Sequence, residues 1–121
     1  MSQSHNRQIK IANDRLNADQ GDFFFVRARL SDGQVYPRPV FVIGRLSDSN
    51  DDDDVIVCSC TKGSVRTDYD IPVQLKMPTS VRTNKIYTIR KDQMQFKIEH
   101  NVPAETIEEI IFNASRAIEL K

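Results

Sequence analysis

Short apolar runs separated by polar turns make up the chain between residues 21 and 89, and each run has the length of a β-strand. Aromatic and β-branched residues dominate these runs, and several alternate between apolar and polar positions, as expected of a sheet with distinct faces. The predicted strands are residues 23–30, 39–44, 55–61, 71–75 and 80–89, the last supplying one strand or two. Turn residues predict a reversal at 31–33.

The hydrophobic period changes after Pro103, which suits the first position of a helix. The following apolar residues recur every three to four positions and predict an amphipathic helix of roughly four turns. These residues are Ile107, Ile110, Ile111, Ala114 and Ile118. We therefore predict an α+β, mainly β fold, a small antiparallel barrel closed off by a C-terminal helix.

The first twenty residues are polar and only weakly patterned. Ile9, Ala12 and Leu16 fall at helical spacing, so this segment is either a short helix or a disordered extension. We place the folded domain at residues 21–121.

With 121 residues, the chain is one domain long and can bury its own core. No apolar run approaches the roughly 20 residues of a spanning helix, and the N-terminus has no apolar signal region. Two cysteines do not make a disulfide scaffold. These features predict a soluble, cytoplasmic protein.

The net charge is zero, but its distribution is uneven. Residues 62–97 hold eight Lys or Arg against three Asp or Glu. A local basic region is what a polyanion site needs, although a solvated surface has the same composition.

Candidate metal motifs are weak. Residues 48–54 contain five aspartates, but the spacing fails as a calcium loop because Asp53 occupies the glycine position and Ser59 the glutamate position. Cys58 and Cys60 lack the second pair that a zinc site needs, and we interpret them as buried small hydrophobic residues. We predict no metal and no cofactor, and a solvated loop at 48–54.

Standard catalytic motifs are absent as well. The sequence contains no phosphate-binding loop, no dinucleotide fingerprint and no nucleophile elbow, and its two histidines have no spaced partners. The residues alone offer arginines and hydroxyls at strand ends.

An ordered set of short motifs is more informative. The chain has Gly21-Asp22 before its first strand, Arg38-Pro39-Val40 entering the second, and a strand that ends on Thr61. Ser80-Val81-Arg82 and Lys85-Ile86-Tyr87-Thr88-Ile89 follow, and then the terminal helix. Over residues 21–120 this series resembles the MazF/PemK (Kid) toxin family.

The resemblance implies an SH3-like barrel, usually a homodimer, that acts as a metal-independent endoribonuclease toxin on single-stranded RNA. The substrate's own 2′-OH attacks the phosphate, which leaves a 2′,3′-cyclic phosphate and a 5′-OH. It also implies a cognate antitoxin as partner.

Site residues follow from the resemblance. Arg38 corresponds to the arginine that stabilises the phosphate and transfers a proton, and Thr61 to a hydroxyl donor to the same phosphate. Ser80, Arg82 and Asn84, with Lys62 beside Thr61, are the expected RNA contacts. A guanidinium suits phosphate binding because of its forked donors.

Two departures leave alternatives open. The Kid-like branch has an aspartate where this chain has Asn84, and the segment before Arg38 is shorter than in the family. A binding module without catalytic activity is therefore the second hypothesis. Gyrase inhibition, known for the related CcdB, relies on a C-terminal tryptophan, and this chain has no tryptophan.

Overall fold

The computed structural model describes residues 3–29, 33 and 35–120. Helices and strands follow one another along the chain and match the predicted change from strands to a terminal helix. They are α1 (Gln3–Leu16), β1 (Phe23–Arg29), β2 (Val35–Val42), β3 (Asp54–Lys62), β4 (Asp70–Gln74), β5 (Pro78–Arg90), a 3₁₀ turn (Lys91–Gln93), β6 (Met94–Ile98) and α2 (Ala104–Ile118).

The six strands form one antiparallel sheet in the order β4-β5-β3-β2-β1-β6. The predicted fold class is thus confirmed: a mainly β domain with a C-terminal helix. The expectation of a closed barrel needs correction, because within the described residues β4 pairs only with β5 and β6 only with β1. Both edge strands are five residues long.

The largest differences from the predicted strands are the start of β2 and the presence of β6, and β2 also ends at Val42 rather than at residue 44. β2 begins at Val35, four residues before the predicted start at residue 39, because the two prolines hold the backbone extended and do not end the strand. β6 has no counterpart in the prediction. The turn predicted at 31–33 lies outside the described residues except for Gly33, as does Leu30 of the first predicted strand.

Each sheet face carries its own apolar core. One face packs under α2, and we call it the helix face; its buried residues include Phe23, Phe41, Val81 and, from α2, Ile110 and Ala114. We call the other the valine face, and its buried residues are Ala18, Phe24, Val26, Val40, Val42, Val55, Val57, Ile89 and Met94.

The two cysteines are buried on the helix face and form no disulfide, which confirms their interpretation as core residues. The aspartate-rich segment is exposed from Asp51 to Asp53, as predicted for a loop. Its Asn50 is buried, and the side-chain amide donates to the carbonyl oxygens of Ala18 and Gly44.

Residues 3–16 form a helix that packs along β6 and the 3₁₀ turn. The Arg15 side chain donates to the Met94 carbonyl oxygen, and Lys91 Nζ to that of Leu16 at 3.1 Å. No residue of this helix is buried, so polar contacts hold it in place. Among the described residues, no helix is long and apolar enough to cross a membrane.

Candidate functional site

Arg38 lies within β2 between Pro37 and Pro39. Because each proline fixes φ and lacks an N–H, this segment stays extended and cannot become helical. β1 holds it in place through a regular antiparallel register, with Val26 opposite Arg38. Arg38 is half-buried.

The register decides which side chains share a face with Arg38. Side chains alternate along a strand, so Arg38 lies on the valine face with Val40, and directly opposed residues of neighbouring strands share a face. Val40 is opposite Ser59, and therefore Ser59 and Thr61 also belong to the valine face.

The same argument extends to β5. Ser80 is opposite Thr61, and Arg82 is opposite Ser59. Four of the six predicted site residues thus occupy one face of three adjacent strands: Arg38 on β2, Thr61 on β3, and Ser80 and Arg82 on β5. The apolar core of the valine face ends where this polar group begins.

Ser80 is fully buried, and its hydroxyl donates to the Gly63 carbonyl oxygen at 2.9 Å. Gly63 has a φ of 99°, which a residue with a side chain rarely adopts. The Ser80 hydroxyl therefore fixes the turn that immediately follows Thr61 and Lys62.

Arg82 is paired across the sheet with Asp70 of β4. The Arg82 Nε atom lies 3.8 Å from Asp70 Oδ1, too far for a hydrogen bond, and neither atom has a hydrogen-bond partner in the protein. Asp70 Oδ2 accepts the Arg66 backbone N–H at 3.0 Å.

Asn84 lies apart from this group. Between Arg82 and Ile86 the β5 strand carries three residues that have no partner in β3, and Asn84 is the exposed centre of this bulge. Thr83 anchors the bulge, since its backbone N–H and its hydroxyl both donate to the Tyr69 carbonyl oxygen.

A cleft of about 720 Å³ opens between the β4–β5 connection and the edge strand β6. Its walls are the β4–β5 connection and β6, and its floor is formed by β2 and β3, mostly from the helix face. It is lined by Phe25, Pro37, Arg38, Pro39, Cys60, Thr61, Lys62, Leu75, Lys76, Met77, Thr79, Phe96, Lys97, Ile98 and Glu99. Arg38 and Thr61 therefore border both the cleft and the valine-face polar group.

The cleft is basic and partly aromatic. Arg38 and three lysines line it against the single carboxylate of Glu99, and the Phe25 and Phe96 rings stack at 5.2 Å. Positive charge around exposed aromatic surface is the combination that single-stranded nucleic acids bind. Lys62 lies here, so the structure separates it from Ser80, Arg82 and Asn84, which do not line the cleft.

Sequence reasoning missed Tyr87 as a neighbour of the site. Tyr87 is opposite Val57 on the valine face, and its hydroxyl is buried without a hydrogen-bond partner in the protein. Burial raises the pKa of Tyr87 to about 12, although the positive charge of nearby Arg38 acts in the opposite direction. Tyr87 lies inside the Lys85–Ile89 motif, but the resemblance gives it no role, and alternation alone predicts only a half-buried strand residue.

Asp70 was missed as well, because it directly precedes a predicted strand and belongs to no motif. Within residues 3–29, 33 and 35–120, the polar side-chain atoms that are buried without a partner are Asp70 Oδ1, Arg82 Nε and Tyr87 Oη. All three belong to the valine face. Buried polar atoms are nearly always hydrogen-bonded, so this concentration marks the region as unusual.

No three His, Cys, Asp or Glu side chains of the described part of the chain lie together in a way that could hold a metal ion. Burial raises the pKa of the Cys58 thiol to about 12 and that of Cys60 further, so neither serves as a thiolate at neutral pH. The available chemistry is that of guanidinium, ammonium and hydroxyl groups. These groups bind phosphate and stabilise the extra charge of a five-coordinate phosphorus.

Comparison with known proteins agrees with this fold. Residues 19–114 match the family described as the PemK-like, MazF-like toxins of type II toxin–antitoxin systems. No curated protein sequence matches the chain significantly.

Several solved structures share the fold at low sequence identity. An endoribonuclease from a mycobacterial species, solved with its cognate antitoxin, is 15% identical over 83% of this chain and 93% of its own, with a TM-score of 0.64. The Mycobacterium tuberculosis toxin MazF-mt6 is 21% identical over 81% and 98%, with a TM-score of 0.58. The MazE–MazF structure from Deinococcus radiodurans is 12% identical over 85% and 96%, with a TM-score of 0.62.

The family match covers most of the chain and includes all six strands and most of α2. This chain belongs to the PemK-like, MazF-like toxins of type II toxin–antitoxin systems.

Proposed function

We propose that this protein is a metal-independent, sequence-specific endoribonuclease toxin that cleaves single-stranded RNA in the cytoplasm. It works as a homodimer and is held inactive by a cognate antitoxin. The single observation that supports this function best is the placement of Arg38, Thr61 and Arg82 on one face of three adjacent strands.

The reaction is an internal transfer at phosphorus. The 2′-oxygen of the nucleotide before the scissile bond attacks the phosphate, and the 5′-oxygen of the next nucleotide leaves. The 2′-OH loses its proton and the leaving oxygen gains one, so the products are a 2′,3′-cyclic phosphate and a 5′-OH. No protein nucleophile takes part, which suits a site without paired carboxylates or histidines.

Arg38 and Thr61 divide the work on the phosphate. The Arg38 guanidinium binds the non-bridging oxygens and stabilises the charge that develops on them, and the Thr61 hydroxyl donates a further hydrogen bond. Arg38 also takes part in proton transfer, a role that rests on the family resemblance. Lys62 and the other lysines of the cleft hold the flanking phosphates.

The test is cleavage of a long single-stranded RNA in EDTA, with mapping of the new ends. We expect discrete cuts with 5′-OH ends, and a loss of at least about 100-fold in rate for Arg38→Ala. Arg45→Ala is the matched control, because this exposed arginine lies in the loop after β2 and pairs with Asp48. An unchanged rate in Arg38→Ala refutes the site assignment.

The attack by the 2′-OH has its own test. A substrate with a single 2′-deoxynucleotide before the scissile bond should remain intact, while one with the substitution after the bond should be cut normally. Cleavage of the first substrate contradicts the mechanism.

The exposed position of Asn84, where the Kid-like branch has an aspartate, favours a second candidate function: an RNA-binding module without activity. A folded wild-type protein that binds the RNA but never cuts it, with or without added metal, supports this alternative.

A further inference from the structure

The ion pair between Asp70 and Arg82 is incomplete. The Asp70 side chain is 0% exposed and that of Arg82 is 26% exposed, yet Arg82 Nε stays 3.8 Å from Asp70 Oδ1. Both atoms therefore lack a hydrogen bond within the protein. The partly exposed guanidinium projects from the face that also carries Arg38 and Thr61.

Asp70 is held firmly by its surroundings. Its Oδ2 accepts the Arg66 N–H at 3.0 Å, and its own N–H donates to the Thr67 carbonyl oxygen at 3.1 Å. The preceding Tyr69 accepts two hydrogen bonds from Thr83, the residue that follows Arg82. The carboxylate and the arginine backbone thus belong to one rigid unit.

The α2 helix supports this unit from the other side. Arg116 stacks 5.5 Å above the Tyr69 ring, and the Asn113 amide reaches the Asp68 carbonyl oxygen at 3.5 Å. A side chain supported in this way keeps its direction, which is what a functional arginine requires.

Fold stability does not explain this arrangement. A buried ion pair loses the hydration of both charges and regains it only through good hydrogen-bond geometry. Here the direct hydrogen bond is missing and two polar atoms remain unsatisfied, each at a cost in folding free energy. The pair is therefore better explained by a role in orienting the Arg82 side chain than by a role in stabilising the fold.

We propose that Asp70 is a positioning residue of the site: it aims the Arg82 guanidinium at the RNA phosphate beside Arg38 and Thr61. Asp70 is fully buried and acts only through Arg82, so it does not touch the substrate. This inference rests on the proposed ribonuclease function.

A double-mutant cycle tests it, using Asp70→Asn, Arg82→Gln and the combination. Asparagine keeps the shape and the acceptor for the Arg66 N–H while it removes the charge. We expect Arg82→Gln to lower kcat about 100-fold and Asp70→Asn about tenfold, with KM nearly unchanged. The double variant should be no slower than Arg82→Gln, because Asp70 has no route to the substrate except Arg82.

Asp68→Asn is the matched control, since Asp68 is exposed and only two residues away; it should cleave at the wild-type rate. Urea unfolding of each variant separates a positioning role from a structural one. If the losses in cleavage rate of the two single variants multiply in the double variant, the proposal is overturned. It is also overturned if the lower cleavage rate of Asp70→Asn is fully explained by a lower fraction of folded protein. If Asp70→Asn fails to fold, Asp70→Glu takes its place in the cycle.

Failure of the proposed function can be distinguished from failure of this inference, because in the first case the wild-type protein cuts no RNA at all. In that case the comparison moves to RNA affinity at several salt concentrations. The proposal then predicts that Arg82→Gln weakens binding and reduces the salt dependence by about one phosphate contact, and that Asp70→Asn changes both in the same direction but less. Wild-type affinity in Asp70→Asn overturns it.

Discussion

The two faces of the sheet differ in the polar groups that they bury. On the helix face, Phe23, Phe41, Cys58 and Cys60 pack with Ile110 of α2, and the buried side chains there are mostly apolar. The valine face begins in the same way but ends in a polar group that contains the buried, unsatisfied atoms of Asp70, Arg82 and Tyr87.

This difference separates stability from function within a single sheet. Apolar burial is the dominant favourable contribution to folding, whereas unsatisfied buried polar atoms oppose it. Both faces therefore stabilise the fold through their apolar cores, and among the described residues the cost of unsatisfied buried polar atoms falls on the valine face. At the polar end of the valine face, loss of the Tyr87 hydroxyl, which has no hydrogen-bond partner in the protein, should be tolerated or even stabilising. Ser80 and Asp70 also make hydrogen bonds that the fold uses, so their loss should cost stability as well as activity.

The largest effect that we expect is on the helix face. Ile110 is 0% exposed, and Ile110→Ala removes buried volume between α2 and the sheet. We predict a loss of about 3 kcal/mol in the free energy of unfolding, measured by urea titration.

Phe112 provides the control, because it lies on the same helix and is 65% exposed. Phe112→Ala should change the free energy of unfolding by less than about 0.5 kcal/mol. If Ile110→Ala were equally mild, α2 would not be part of the core and the contrast between the faces would be lost.

The sequence is sufficient to predict most of the fold, because alternation and helical spacing report directly on burial. The segment 55–61 lies within β3, the segment 71–75 matches β4 except for Leu75, and the segment 80–89 lies within β5. The helix predicted after Pro103 is also present. Strand β6 was missed although Met94, Phe96 and Ile98 alternate with Gln95 and Lys97 in the pattern of a strand that has one apolar face. Pattern alone also could not show whether the sheet closes, since closure depends on the pairing of distant edges.

The candidate site was predictable only in part. Family motifs single out Arg38, Thr61 and Arg82, and the register explains how residues so far apart in the chain share a face. Strand pairing brings Asp70 and Tyr87 to the site: Asp70 belongs to no motif, and the motif that contains Tyr87 gives it no role. Lys62 lies on the opposite side of the sheet from Arg82, because it follows Thr61 directly and successive side chains of a strand point to opposite faces.

High pH should weaken both faces. Burial raises the pKa of Cys58, on the helix face, from 9 to about 12 and that of Tyr87, on the valine face, from 10 to about 12. The unfolded chain therefore releases these protons before the folded chain does. The contribution of these two groups to stability should be fully present below pH 9 and fall as the pH rises from 9 to 12, by at most about 1.4 kcal/mol per pH unit for each group.

Urea midpoints measured between pH 8 and 10.5 test this, with Cys58→Ala and Tyr87→Phe each expected to flatten the decline. The flattening of the decline in each variant then gives the contribution of that one group, while Cys60 continues to titrate in both variants. A midpoint that does not move up to pH 10.5 contradicts the burial of these groups.

The smallest predicted effect is also the most direct test of the contrast between the faces. Tyr87→Phe removes only the hydroxyl that is buried without a partner, so the variant should be more stable than the wild-type protein by about 1 kcal/mol in urea unfolding at pH 7. Tyr69→Phe is the control and should stay within about 0.5 kcal/mol, because the Tyr69 ring keeps its contact with Arg116. A Tyr87→Phe protein that is less stable than the wild type would mean that the hydroxyl is satisfied after all. The valine face would then be as well packed as the helix face, and the stability argument for a functional site there would fail.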